Sequence, residues 1–331
     1  MLLQGVLPAI TTPFYSDGRI YFRKLEHNVE KYCLTGIAGL VVLGSTGEVV
    51  MLADVERREV LKSAIESAAG DKIMIAGTGA ESIRATLEMT EAAAELGYDA
   101  ALVQTPHYYK SQMTPTVMLN FYRTVADRSP LPVLIYSVPP FTGYDIPTEL
   151  VRELADHPNI IGIKESSGSV EKIKQLAEAT KPVRRRLPVT LRRAKGRADL
   201  VTVSSLTGTA TAVEEKTHDV GFQILAGSAQ KMLPSLQAGA SGGVLAFAAA
   251  APVACVNVYA AFEAGDPDKA QAEQEKIVQP ATRIASQLLI AGVKYAMDFN
   301  GYYGGNPRLP LLPVSAEVRT EIEGLLGEIR N

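Results

Sequence analysis

Two side chains in this sequence could do chemistry together: an amine, Lys164, and a phenol, Tyr136, each at the end of a short apolar run. The lysine closes the stretch Pro158-Asn159-Ile160-Ile161-Gly162-Ile163-Lys164-Glu165-Ser166-Ser167-Gly168. Its three β-branched isoleucines favour a buried strand. Strict alternation puts Ile161 and Ile163 on one face and Ile160, Gly162 and Lys164 on the other, with Gly162 leaving room beneath the amine. A lysine buried at a strand end loses hydration, which favours its neutral form, and a neutral amine attacks carbonyl carbons. A charged residue is also a common way to end a strand at water, so Lys164 alone decides nothing.

Schiff-base chemistry needs three further parts: a grip on the substrate carboxylate, a proton relay and an open mouth. Gly44-Ser45-Thr46-Gly47-Glu48 could be the grip, because flanking glycines let backbone N–H groups turn toward an anion and two hydroxyls add donors. It also reads as a tight strand-to-helix turn with Glu48 in the first helical turn. Tyr136 could be the relay or a packed core tyrosine. Tyr108 and Tyr109 follow Thr105-Pro106 in a loop, where paired aromatics more often pack at an interface than react. Metal chemistry is disfavoured, since His27, His107, His157 and His218 are scattered, with no His-x-His or His-Glu-x-x-His spacing.

The elements that must position these residues follow a rhythm. Apolar strand candidates recur at 6–14, 40–43, 72–77, 100–106, 132–139, 160–164, 222–228 and 243–247, with helical sequence between them. Ser82, Thr114 and Asp54 stand where caps are expected, and Pro147 opens a short helix. Eight strands alternating with helices predict parallel pairing and a (β/α)8 TIM barrel over residues 1–250, with a C-terminal helical region over 251–331. In that fold chemistry sits at the C-terminal strand ends, where Ser45, Thr46, Tyr136 and Lys164 fall. A doubly wound sheet is the alternative, but Gly77-Thr78-Gly79-Ala80-Glu81-Ser82 follows the third strand and lacks the last glycine of a dinucleotide fingerprint.

Composition narrows the class. The chain has 331 residues, 47% apolar and 21% charged, with a net charge of −3, so no general basic surface calls for nucleic acid. Two cysteines, Cys33 and Cys255, cannot build a disulfide framework, which fits a reducing cytoplasm. The N-terminus has no signal-like basic region, and the most apolar stretch, 242–258, is interrupted by Pro252 and reads as strand plus helix, not as a membrane span. Residues 181–221 break the rhythm as a basic insertion carrying Lys181, Arg184, Arg185, Arg186, Arg192, Arg193, Lys195 and Arg197. No aromatic residue interleaves those charges, so a solvated insertion is the better reading than a nucleic-acid patch.

Gly44-Ser45-Thr46-Gly47-Glu48, Thr105-Pro106-His107-Tyr108-Tyr109, Tyr136-Ser137-Val138-Pro139 and Gly162-Ile163-Lys164-Glu165-Ser166 resemble, in order, the motifs of the dihydrodipicolinate synthase/N-acetylneuraminate lyase superfamily of class I pyruvate aldolases. The resemblance runs from about residue 4 to 325, with 181–221 poorly matched. It implies a barrel with C-terminal helices, a homotetramer built from tight dimers, and no cofactor beyond a covalent Schiff base with pyruvate at Lys164. It further implies that Tyr136 relays protons through Thr46 and Tyr108, with Tyr108 lent across the dimer interface, and that Ser45 and Thr46 bind the pyruvyl carboxylate.

Within the superfamily, dihydrodipicolinate synthases typically carry Tyr-Asn-Val-Pro-x-Arg-Thr after the fifth strand. Here Phe141 stands where that arginine would be, and it cannot pair with a carboxylate. Asp54 and Arg57 occupy the neighbourhood of the histidines of lysine-inhibited synthases, so lysine feedback is not expected. The Tyr-Ser-Val-Pro form and Ser166 look closer to 4-hydroxy-2-oxoglutarate aldolases. The expectation is therefore reversible cleavage of 4-hydroxy-2-oxoglutarate to pyruvate and glyoxylate, with Phe141, Gly143, Ser166 and Gly243 lining the pocket. Dihydrodipicolinate synthase and a non-catalytic 2-oxo acid sensor are the alternatives.

Overall fold

A computed structural model of the protein describes residues 2–188 and 217–329. In chain order the elements are β1 (Gly5–Pro8), α1 (Phe22–Cys33), β2 (Gly39–Val42), α2 (Asp54–Ser67), β3 (Ile73–Gly77), α3 (Ile83–Leu96), β4 (Ala100–Gln104) and α4 (Pro115–Arg128). β5 (Val133–Ser137), α5 (Pro139–Thr142), α6 (Thr148–Leu154), β6 (Ile160–Glu165), α7 (Val170–Thr180), β7 (Arg184–Pro188) and β8 (Thr217–Gly221) follow. The chain continues through β9 (Gln223–Ala226), α8 (Met232–Gln237), β10 (Gly242–Leu245), α9 (Pro252–Glu263), α10 (Pro267–Ala281), α11 (Leu289–Phe299) and α12 (Ala316–Leu325).

Eight of these strands form one parallel sheet in the order β1-β10-β9-β6-β5-β4-β3-β2. Its two ends meet: Ala9 bridges Val41 in parallel, and the Ile10 N–H donates to the Val41 carbonyl at 3.0 Å. The chain is a (β/α)8 barrel followed by C-terminal helices, as the strand rhythm predicted. Two apolar clusters show why the strands read as continuous hydrophobic runs. Leu7, Val41, Ile75, Leu102, Leu134, Ile161, Leu225 and Val244 fill the barrel interior. A larger cluster that includes Val6, Leu40, Val42, Val103, Ile135 and Ile163 lies between strands and helices.

The strand bearing the lysine departs from simple alternation. Ile161 belongs to the interior cluster and Ile163 to the outer one, so the two do not share a face. The cause is a register shift: Val133 pairs with Ile160, but the next residue, Leu134, pairs with Gly162. One extra residue on β6 inverts the parity beyond it. Lys164 still lines the cavity inside the barrel, next to Tyr136 in register, and Glu165 turns to the helix layer. Gly162 is required here because a Cβ would collide with the backbone carbonyl oxygen of Gln223 on the neighbouring strand.

Helix ends follow the predicted caps in most places. The Ser82 hydroxyl accepts from Ala85 N–H and the Thr114 hydroxyl from Val117 N–H. Asp54 is not a cap: it is the first residue of α2, and the Glu56 carboxylate accepts instead from Ala53 N–H at 2.9 Å. The basic insertion is rooted in an antiparallel ribbon in which β7 pairs with β8, from Arg184 opposite Gly221 to Pro188 opposite Thr217. Residues 189–216 of the expected insertion lie outside the described residues. Among the described residues no helix is long and apolar enough to cross a membrane.

Gly162→Ala should destabilise the barrel by roughly 1–3 kcal/mol, the usual cost of overpacking, with a matching fall in the urea midpoint. An unchanged midpoint would show that β6 and β9 can separate without cost.

Candidate active site

Lys164 ends β6 with only 4% of its surface exposed. Its Nζ lies 4.0 Å from the centre of the Tyr136 ring. The Tyr136 phenol oxygen is 3.2 Å from Ser45 Oγ. These three residues and Thr46 line a cavity of about 470 Å³ at the C-terminal mouth of the barrel. Of the two hydroxyls in the glycine-flanked turn, the one that meets the phenol is therefore Ser45. The sequence expectation gave the relay to Thr46. Successive residues of a tight turn point in different directions, and only the fold shows which one faces β5.

That turn is not the start of a helix. Ser45–Gly47 is a single 3₁₀ turn, and Glu48 follows it in the left-handed region at φ 56°. Gly47 N–H donates to Gly44 C=O and Glu48 N–H to Ser45 C=O, so the Ser45 and Thr46 N–H groups precede the ladder. Glu48 is buried and ion-paired with equally buried Lys294 of α11, Nζ to Oε1 at 2.5 Å. Its other oxygen accepts from Arg308 N–H at 2.8 Å. Lys294 also donates to the carbonyls of Thr12 and Asn306, at 2.9 and 3.0 Å. Burial pulls the Lys294 amine below the ordinary lysine range, and the Glu48 charge opposes that pull. Arg308 adds a second clamp, donating to the Glu56 carboxylate and to the carbonyls of Gly18 and Met51. Leu43, just before the turn, is also left-handed at φ 59°, a strained state for a branched residue.

Behind the lysine strand, Glu165 is buried in the helix layer and accepts from Ser167 N–H at 2.6 Å. Lys172 reaches it at 3.7 Å and also pairs with Asp145. Desolvation pushes the Glu165 carboxyl up and the Lys172 amine down to about 8. This cluster fixes the Ser166-Ser167-Gly168 loop that forms part of the cavity wall.

Phe141 and Ser166 line the cavity as expected. Gly243 does not: a Cβ there would point at the Leu245 side chain of the outer cluster, and the neighbouring Val244 and Ala246 line the cavity instead. Gly143 does not either. It ends α5 at φ +68°, beside the Lys110 amine. Tyr108 lies outside the lining, 75% exposed, with its ring edge-on to Tyr109. Its loop is held by Glu81, whose carboxylate accepts from the N–H groups of His107 and Tyr108.

The sequence reading missed one whole wall. Ala285, Ser286, Leu289, Ile290 and Val293 come from the C-terminal helices. A π-helical turn, Thr282–Gln287, links α10 to α11 and moves this segment over the mouth. Pro280 inside α10 was the available signal, because proline removes a helical donor and disturbs the ladder around it. Gln230, after β9, ties in by donating to Ser286 Oγ at 2.8 Å.

A family model described as the dihydrodipicolinate synthetase family matches residues 2–184 and 188–329. The chain belongs to that family. It is 31% identical to a 4-hydroxy-tetrahydrodipicolinate synthase of Methanothrix thermoacetophila, over 99% of this chain and 100% of that one. It is 30% identical to the same-named protein of an Exiguobacterium species, over 97% and 96%. Among solved structures, a dihydrodipicolinate synthase of Bacillus anthracis matches with a TM-score of 0.83 at 26% identity, covering 100% of both chains. A prophage protein of the dihydrodipicolinic acid synthase family from E. coli K12, solved in complex with pyruvate, matches with a TM-score of 0.82 at 25% identity, covering 99% of both chains. The family is one of lyases and aldolases.

Removing one partner of a buried ion pair strands the other charge. Lys294→Met should cost about 3–5 kcal/mol, and the double variant Glu48→Gln/Lys294→Met should recover much of that loss in a denaturant titration. Equal losses in the single and double variants would show that the two groups are not coupled.

Proposed function

We propose that the protein is a class I pyruvate aldolase that works through a Schiff base on Lys164. The observation that carries this reading is the buried amine held against the Tyr136 ring on the floor of a cavity whose next hydroxyl is Ser45. The resemblance in sequence, and the pyruvate complex of the E. coli prophage protein, support pyruvate as the first substrate.

The Lys164 amine adds to the C2 ketone of pyruvate, and the carbinolamine loses water to give an iminium. Tyr136, with Ser45 beside it, passes the protons of these steps. The C1 carboxylate is held by the hydroxyls and leading N–H groups of Ser45 and Thr46, which orients the ketone toward the amine. Loss of a C3 proton gives the enamine, whose C3 attacks the aldehyde carbon. The aldehyde oxygen takes a proton and becomes the 4-hydroxyl, and water hydrolyses the iminium. Cleavage is the same path reversed. Tyr108 lies outside the cavity of its own chain, so in this reading it serves the site of a neighbouring copy, in a dimer-of-dimers tetramer.

Glyoxylate and 4-hydroxy-2-oxoglutarate, expected from the sequence, put a second carboxylate in the cavity, as does aspartate semialdehyde. Lys164 is the one lysine, arginine or histidine among the described lining residues, and this mechanism uses it for the iminium. The cavity therefore supports the pyruvate half-reaction and offers a second carboxylate no charged partner among the described lining residues.

Lys164→Ala should lower kcat at least about a thousandfold with circular dichroism unchanged, and Tyr136→Phe should lower it by about 10²–10⁴. Residual Lys164→Ala turnover above about a thousandth of wild type would exclude a covalent role for that amine.

A further inference from the structure

The far end of the cavity has a character of its own. Phe141 and Leu289 stand at its mouth and remain 50% and 42% exposed, although both are large and apolar. Ile290 and Val293 continue the apolar wall inward, and the polar groups beside them, Ser286 and Gln230, are uncharged and bonded to each other. An apolar surface kept open to water at a site is covered at a gain when an apolar ligand arrives.

Leu289 is also held there against its own preference. It has a φ of 54°, in the left-handed region that leucine avoids, two residues after the π-helical turn Thr282–Gln287. The buried side of α11 begins at Gly292 and Val293, past both features. Both bring Leu289 to the cavity mouth. Strained residues and π turns of this kind concentrate where a side chain must be aimed.

We propose that Phe141 and Leu289 select the second substrate, and that it is an uncharged aldehyde with an apolar alkyl or aryl body. This rests on the pyruvate-aldolase reading: the enamine C3 bonds to the aldehyde carbon, the carbonyl π pair moves to oxygen, and that oxygen takes a proton. The apolar body then lies between Phe141 and Leu289, where a carboxylate would lose hydration and meet no cationic side chain beyond Lys164 among the described lining residues. Lys110, beside Gly143, stands outside the lining.

The test compares kcat/KM for condensation of pyruvate with butanal, benzaldehyde, glyceraldehyde and glyoxylate, using the full-length enzyme. Butanal or benzaldehyde should exceed both glyceraldehyde and glyoxylate by at least about tenfold, a selectivity within reach of a few apolar contacts. Leu289→Ala should erase most of that advantage, mainly through KM for the aldehyde, and Phe141→Arg should shift preference toward glyoxylate. Equal or better use of glyoxylate or glyceraldehyde by the wild type would overturn the proposal. Deuterium exchange at the pyruvate methyl in D2O, followed by NMR without aldehyde, separates the two levels. Exchange with glyoxylate preferred overturns the selectivity alone, whereas no exchange removes the enamine and the selectivity with it.

Discussion

The site depends on one buried ion pair. Glu48 ends the turn that presents Ser45 and Thr46, and Lys294 lies on the helix whose first turns form the opposite wall of the cavity. Neither charge has access to water, so each is tolerable only beside the other. The consequence is geometric. The turn after β2 cannot move relative to α11 without separating two desolvated charges, and the Thr12 and Asn306 carbonyls bound to Lys294 tie in the β1 loop and the C-terminal segment as well. Glu48 holds a left-handed backbone at φ 56°, and its carboxylate meets Lys294 of α11. Strain there is offset by the pairing it permits.

The lysine strand shows a second constraint, the division of one strand between two environments. After the register shift, Lys164 faces the cavity with Tyr136 while Glu165 faces the helix layer with Lys172 and Asp145. Adjacent residues thus carry opposite tasks. Among the described residues the Lys164 amine pairs with no carboxylate and lies against the Tyr136 ring. The neighbouring carboxylate is confined behind the barrel wall, where it holds the Ser166–Gly168 loop. Gly162 makes this possible by letting β9 approach closely at the point where the parity changes.

Much of this was legible in the sequence, for a physical reason: short apolar runs ending in polar residues at regular intervals leave few folds other than a closed parallel barrel. Lys164, Tyr136 and the Ser45-Thr46 turn could be placed at strand ends, but not which of the two hydroxyls meets the phenol. What remained hidden were features set by contacts distant along the chain. No local signal shows that Glu48 is left-handed, because its partner Lys294 lies in another helix. Parity errors explain two of the wrong expectations: the bulge in β6 separated Ile161 from Ile163, and Gly243 took the outer face while Val244 took the inner. The cavity wall from Ala285 to Val293 was invisible because helical periodicity continues through it, and only Pro280 hinted that the helix path changes.

The proposed chemistry rests on the Lys164 amine reacting with a 2-oxo acid. The most direct measurement is intact-mass spectrometry after borohydride reduction in the presence of pyruvate, followed by peptide mapping. The account predicts a single reduced pyruvyl adduct per chain, on the peptide containing Lys164. An adduct on any other lysine, or none at all, would contradict it.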